Sequence, residues 1–147
     1  MPRRILMYLV RLVYVSTIGK GFDNKDIESI LEIANTKNSA KNVTGLLCFS
    51  KGIFLQCLEG SRSNVNETYH RILNDSRHEK IIMLDYKEII HREFADWSMG
   101  YVPESSLTAP VNLKYSGKTE FNPYEMSGES SHGLMMELKS TIRTTSG

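Results

Sequence analysis

The sequence carries almost no excess charge: 18 Lys and Arg residues against 17 Asp and Glu leave a formal net charge of +1 over 147 residues. A chain so balanced has no global field to draw in a polyanion, which argues against a dedicated nucleic-acid binder. The stretch from Glu104 to Gly147 is equally even, with five acidic and four basic residues, so no charged interaction arm is expected. Long apolar runs are missing too. The longest, such as Ile5 to Val10 and Val43 to Phe49, fall well short of the roughly 20 residues that cross a bilayer. Arg3 and Arg4 ahead of Ile5-Leu6-Met7 have the order of a signal peptide, but Arg11 interrupts the apolar run and no A-x-A-like cleavage site follows. The expected location is cytoplasmic, with no membrane association.

Cysteine is scarce. Cys48 and Cys57 would flank a turn at Ser50-Lys51-Gly52, with Cys48 nearest Phe54 across the hairpin. The resulting offset, about 10 Å along a strand, is too long for a disulfide, which leaves two buried thiols in a reducing compartment. His70, His78, His91 and His132 show no paired spacing on one helical face, and neither cysteine lies in a C-x-x-C, so no metal site is expected. The phosphate-binding, dinucleotide-binding and hydrolase-elbow signatures are all absent.

What is present is an ordinary globular composition, 40% hydrophobic and 24% charged, enough for one core. Leu9 to Val15 is rich in β-branched residues and reads as a strand that Gly19 and Gly21 end. From Asn24 a helix is expected, with Ile27, Ile30, Leu31 and Ala34 stacked on one face. Val43 to Phe49 and Ile53 to Leu58 form a hairpin around Ser50-Lys51-Gly52. A second helix follows, with Asn64 and Glu67 as its capping box and Val65, Thr68, Tyr69 and Ile72 on its buried face. Ile81 to Tyr86 and Trp97 to Val102 supply the last two strands.

The order β-α-β-β-α-β-β predicts an α+β protein: a ferredoxin-like sheet with both helices on one face and one extra strand. Ile53 to Leu58 and Ile81 to Leu84 are apolar on both faces, so something must cover the second face as well. The remainder of the chain or another subunit could do so. Residues 103–133 hold Pro103, Pro110 and Pro123 in turn-like company, while Leu134, Leu138 and Ile142 mark a short terminal helix.

Three polar residues stand where the elements should be dry: Tyr14 among valines, Gln56 in mid-strand and Asn38 at the end of the first helix. By composition each has an ordinary role, as a core aromatic, a water-facing edge residue and a helix terminator. A buried glutamine, however, needs up to four hydrogen-bond partners, for which a tyrosine hydroxyl and a heteroaromatic ligand are suited. If the first and third strands are neighbours, Tyr14 and Gln56 can meet under the helices.

These residues lie in a longer pattern. Arg11-Leu12-Val13-Tyr14-Val15-Ser16, Asn38, Val43-Thr44-Gly45-Leu46-Leu47, Phe54-Leu55-Gln56-Cys57-Leu58-Glu59-Gly60, Arg71-Ile72-Leu73-Asn74-Asp75-Ser76-Arg77-His78 and Phe94-Ala95-Asp96-Trp97-Ser98-Met99-Gly100 run in order from about residue 10 to 101. Together they resemble the BLUF family, the blue-light sensors that use FAD. The resemblance implies a non-enzymatic photoreceptor with a sensor domain over residues 8–102 and its flavin between the two helices. It implies that Tyr14 donates an electron and a proton to the excited flavin, that the hydrogen bonding of Gln56 then rearranges, and that Asn38 binds the polar edge of the ring. Arg71 would approach the FAD phosphates, as a guanidinium suits. Ile30 and Leu46 would wall the ring, Lys37 would lie beside it, and Trp97 with Met99 would relay the signal.

Two positions depart from the commoner family pattern, Lys37 where asparagine or histidine often stands and Ala34 where serine is frequent. Met7 falls near where many members begin, so residues 1–6 could be an extension. About 45 residues follow the sensor, too few for a catalytic output domain; residues 103–147 are therefore expected to be a helical extension making oligomer or partner contacts. Leu113-Lys114-Tyr115-Ser116-Gly117 resembles a segment of short cyanobacterial phototaxis receptors, which implies a homo-oligomer and a response-regulator-like partner. The alternative is a flavin-free ferredoxin-like module that binds a small ligand or RNA.

Overall fold

Period-two apolar patterning and the turns between the strands assemble a five-stranded sheet in the computed structural model, which describes residues 8–23 and 25–146. Asn24, the expected start of the first helix, and residues 1–6 lie outside the described residues. The elements are β1 (Leu9–Ile18), α1 (Lys25–Ala40), β2 (Thr44–Ser50), β3 (Ile53–Ser61), α2 (Arg62–Leu73), β4 (His78–Ile89) and β5 (Gly100–Val102). Their order across the sheet is β4-β1-β3-β2-β5. The first four strands pair antiparallel and β5 runs parallel to β2. This is the ferredoxin-like arrangement, with β1 beside β3.

The β2–β3 turn uses left-handed backbone at Lys51 (φ 49°) and Gly52 (φ 81°), the twist that lets a two-residue turn close a hairpin. Ser50 then faces Ile53, and Cys48 faces Leu55 rather than Phe54. Both cysteines are buried and unpaired. Gly45 is needed where β2 and β3 approach, because a Cβ there would lie 1.9 Å from the Cys57 carbonyl oxygen.

Helices α1 and α2 lay Ile27, Ile30, Val65, Tyr69 and Ile72 on the strand residues Val10, Leu12, Tyr14, Leu47, Phe54 and Leu58. The cap of α2 is Ser61, whose Oγ accepts from the Asn64 N–H at 3.2 Å, rather than Asn64 itself. Strand β3 runs straight into the helix, so the last extended residue caps it.

The chain's own C-terminal residues cover the opposite face. Beyond β5 come a turn at Glu104–Ser106, α3 (Ala109–Ser116), a turn at Pro123–Glu125 and α4 (Gly128–Ser146). Leu134, Met135 and Leu138 of α4 pack on Val13, Leu46, Cys48, Leu55 and Cys57. Helix α3 was hidden by Pro110, which sits in its first turn, where a missing N–H costs nothing. Helix α4 is longer than the apolar repeat alone marks.

Strand β4 departs from expectation. It is an edge strand with Ile82 49%, Met83 44% and Tyr86 41% exposed, instead of being buried on both faces. Its pairing with β1 breaks register between Val13 and Tyr14 and again between Val15 and Thr17, and such irregularities blunt a free edge. Strand β5 is shorter than the pattern suggests, so Trp97 and Met99 precede it. Among the described residues no helix is long and apolar enough to cross a membrane.

Candidate functional site

A narrow cleft opens between α1 and α2. Ile30, Ala34 and Asn38 of α1 line one wall, Thr68, Arg71 and Ile72 of α2 the other, and Gln56 of β3 the floor. The 3.6-residue repeat selects the walls, since residues one turn apart share a helix face.

Tyr14 and Gln56 are direct partners across the β1–β3 ladder. The Tyr14 hydroxyl donates to Gln56 Oε1. On its other side Gln56 Nε2 donates to Met99 Sδ at 3.1 Å. A thioether can only accept, so Met99 turns the amide nitrogen toward itself and leaves Oε1 for the tyrosine. The phenol is fully buried, and burial foremost, then the nearby Tyr69 and Asp75, pushes its pKa far above the ordinary range, with Arg71 opposing. The phenol is therefore protonated near neutral pH. The Tyr69 ring lies 5.7 Å from that of Tyr14, tilted by 49°.

Asn38 is 1% exposed. Its Nδ2 donates to the Ser98 carbonyl at 3.1 Å, while Oδ1 is buried without a partner. A buried acceptor left open on a cleft wall is costly unless a ligand donor meets it. The ring N–H of a flavin is such a donor. With a wide apolar wall, an amide floor and the Arg71 guanidinium, the residues present fit FAD.

Three further residues of the cleft were quoted within the sequence pattern but assigned no role. Arg77 grips Asp75 with Nε and Nη2, the latter 2.7 Å from Oδ2, and the Arg77 hydrogen bond is the main cause of a lowered Asp75 pKa. His78 shares a 2.9 Å hydrogen bond between its Nδ1 and Ser16 Oγ and packs edge-on to Tyr14 at 6.1 Å. Burial lowers its pKa to about 4, against the opposing pull of Asp75, so the imidazole is neutral near pH 7. Asp-x-Arg-His beside the second helix was the available signal; nothing in spacing alone separates it from a capped turn.

Three expected positions fall elsewhere. Leu46 lies on the opposite face among the residues under α4, because Leu47 is the residue paired with Gln56 and side chains alternate along a strand. Lys37 is exposed and borders an outer groove with Ser29, Glu32, Ile33 and Thr36, since one residue before Asn38 is about 100° around the helix. Trp97 packs with the α4-side cluster, whereas Met99 packs with the α1–α2 side, so the two lie on opposite faces of the sheet.

Comparison with known proteins agrees with this geometry. The family model described as "Sensors of blue-light using FAD" matches residues 9–100. The blue light- and temperature-regulated antirepressor BluF of Escherichia coli is 40% identical over 76 residues, which is 52% of this chain and 19% of that protein. The photoactivated adenylate cyclase subunit alpha of Euglena gracilis is 33% identical over 86 residues, 58% of this chain and 8% of that protein. This chain thus spans under a fifth of the length of these two curated relatives. Among solved structures, BlsA in its photo-activated state superposes with a TM-score of 0.81 at 30% identity, covering 88% of this chain and 94% of that one. The BLUF protein BlrB in its dark state superposes with a TM-score of 0.77 at 28% identity, covering 92% and 98%. With its ferredoxin-like sheet, its cleft between α1 and α2 and a family match over residues 9–100, this chain belongs to the BLUF family of blue-light sensors that use FAD.

Proposed function

We propose that this chain is a blue-light photoreceptor in which the Tyr14–Gln56 hydrogen bond is the switch and Met99, which accepts from Gln56 Nε2, relays its change. These two hydrogen bonds, at the floor of the cleft, are the observation that carries the reading. Bound FAD would supply a light-excited electron acceptor. Tyr14 would give that acceptor both an electron and its hydroxyl proton, which burial holds until then and which the bond to Gln56 Oε1 directs. Gln56 then reorients: its amide presents a different edge to Tyr14, and Met99 Sδ loses or exchanges its N–H donor. Asn38 Oδ1 would accept from the ring, Arg71 would meet the phosphates, and Ile30 would pack against the ring.

In this reading residues 8–102 are the sensor and residues 103–147 the output segment, and the output is altered protein contact rather than catalysis in this stretch of chain. Exposed apolar side chains at Ile82, Met83, Tyr86 and Ile90, the last 94% exposed, support contact with further copies. Leu113 on α3, 49% exposed, is the apolar surface residue of the segment that would meet a response-regulator-like partner in the cytoplasm. The curated relatives are named as an antirepressor and as cyclase subunits, in keeping with one sensor serving different outputs.

The test is optical and hydrodynamic. Purified protein should carry non-covalent oxidised FAD, and blue light should shift its absorption slightly to the red, reversibly in the dark. Protein that stays colourless after incubation with FAD would overturn the reading. Met99→Ala should keep most of the red shift and reduce any light-dependent change in mass measured by light scattering with the partner present; an unaltered change removes Met99 from the output.

A further inference from the structure

Residues 93–99 are held from both faces of the sheet. At one end they reach the cleft, where Asn38 Nδ2 donates to the Ser98 carbonyl and Gln56 Nε2 to Met99 Sδ, each at 3.1 Å. In the middle the Gly45 N–H donates to the Trp97 carbonyl at 3.0 Å. At the other end the two carboxylate oxygens of Glu59 accept from the N–H groups of Glu93 and Phe94, both at 2.8 Å. Beside this clamp Arg92 donates to Thr44 Oγ1 and to the Glu59 and Asn42 carbonyls. Helix α4 closes the set: Lys139 Nζ donates to the Glu93 carbonyl, the same ammonium sits 5.8 Å from the Phe94 ring centre, and His132 lies edge-on to that ring at 6.3 Å.

Glu59 is fully buried, an expensive place for a carboxylate without full hydrogen bonding. Burial raises its pKa, and the two backbone N–H bonds and the Arg92 charge oppose that rise. Glu59 stands three residues after Gln56 on β3, so the two side chains leave the strand on opposite faces. One strand therefore grips residues 93–99 twice, through Gln56 on the cleft side and through Glu59 on the α4 side. A photochemical change at Gln56 acts at a distance by biasing an element that has two arrangements, and residues 93–99 are bonded to Gln56 at one end and to α4 at the other.

We propose that residues 93–99 form a strap joining Gln56 to helix α4, and that Glu59 is the positioning residue that anchors it. The proposal rests on the reading of Gln56 as the photoactive glutamine. It assigns Glu59, Phe94 and Lys139 to the route by which light at the cleft reaches the opposite face.

Glu59→Gln tests it with shape nearly conserved. A glutamine has one acceptor oxygen, so its amide N–H₂ would oppose one of the two backbone donors and release that end of the strap. The FAD-loaded full chain is followed by absorption and by hydrogen exchange in darkness and under continuous blue light. In the unsubstituted protein, light should change amide exchange across residues 93–99 and in α4 near Lys139 by about fivefold or more. Glu59→Gln should keep FAD and the red shift, while the light-dependent difference in α4 falls below about twofold. Leu134→Ala, a packing change in α4 that removes none of the strap's hydrogen bonds, should lower the melting temperature yet retain the difference, which separates anchoring from mere stability. Should Glu59→Gln fail to fold, Lys139→Met carries the test, with the same loss and an unchanged dark spectrum. A full α4 difference in the folded variant, or none in the unsubstituted protein despite a normal red shift, overturns the strap; a missing red shift in the unsubstituted protein overturns the photoreceptor reading instead.

Discussion

Tyr14→Phe removes one oxygen from a residue with no exposed surface and leaves its ring in place against Tyr69 and His78. The loss falls on Gln56, 4% exposed, whose Oε1 then has no donor from Tyr14. An orphaned buried acceptor costs about 1–3 kcal/mol. For a domain of this size each kcal/mol lowers the melting temperature by roughly 2–4 °C, so a drop of roughly 2–12 °C is expected in the dark, with FAD retained. The optical effect is larger in kind. Phenylalanine offers neither an accessible electron nor a proton, so the red shift should vanish. Because burial keeps the Tyr14 phenol protonated, the red shift of the unsubstituted protein should be flat from about pH 6 to 9. Steady-state difference spectra after blue illumination, with thermal unfolding of the same samples, decide it. Tyr69→Phe is the control, since its ring is 5.7 Å from Tyr14 but takes no part in the Gln56 bond; it should keep the shift. A normal red shift in Tyr14→Phe would refute the donor assignment, whatever its stability.

Other outcomes follow from the same contacts. Gln56→Leu should retain flavin and lose the shift, because both Tyr14 and Met99 lose their amide partner; a surviving shift measured the same way sinks the glutamine's role. Asn38→Ala removes both the open Oδ1 and the bond to Ser98, and should weaken FAD binding by about 5- to 100-fold in a fluorescence titration, with unchanged affinity counting against the site. His78 has a folded pKa of about 4 against an ordinary 6.5, so the unfolded chain takes up its proton first. Its contribution is complete above about pH 6.5 and is lost as pH falls toward 4, amounting to about 3 kcal/mol at most. His78→Asn should flatten the unfolding free energy between pH 6.5 and 4.5; an unchanged slope would show that other groups set it.

How much of this is legible along the chain depends on the range of the interaction. Period-two and 3.6-residue patterning placed β1, α1, the hairpin and α2, because each is a local preference reinforced by one buried face. Strand order allowed Tyr14 and Gln56 to meet, and the β1–β3 register pairs them directly. Leu46 could not be told from Leu47 by composition: a run of apolar residues buried on both faces carries no parity, and only the register at Ser50–Ile53 assigns Leu47 to the face under α1 and α2. Lys37 lies outside the cleft lining for a similar reason, since adjacency in sequence to Asn38 is not adjacency on a helix face.

By itself, then, the sequence determined the α+β element order, the absence of long apolar spans and the polar residues that a flavin cleft would use, all of which rest on neighbours a few positions apart. Tertiary structure alone decided that the C-terminal helices cover the second face, that β4 is an exposed edge, and that Trp97 and Met99 look to opposite faces. It also brought Glu59 to Phe94 and Lys139 to Glu93 across spans of 35 and 46 residues. Such contacts have no local signature, because the free energy that fixes them comes from burial and hydrogen bonds formed only once the sheet has closed.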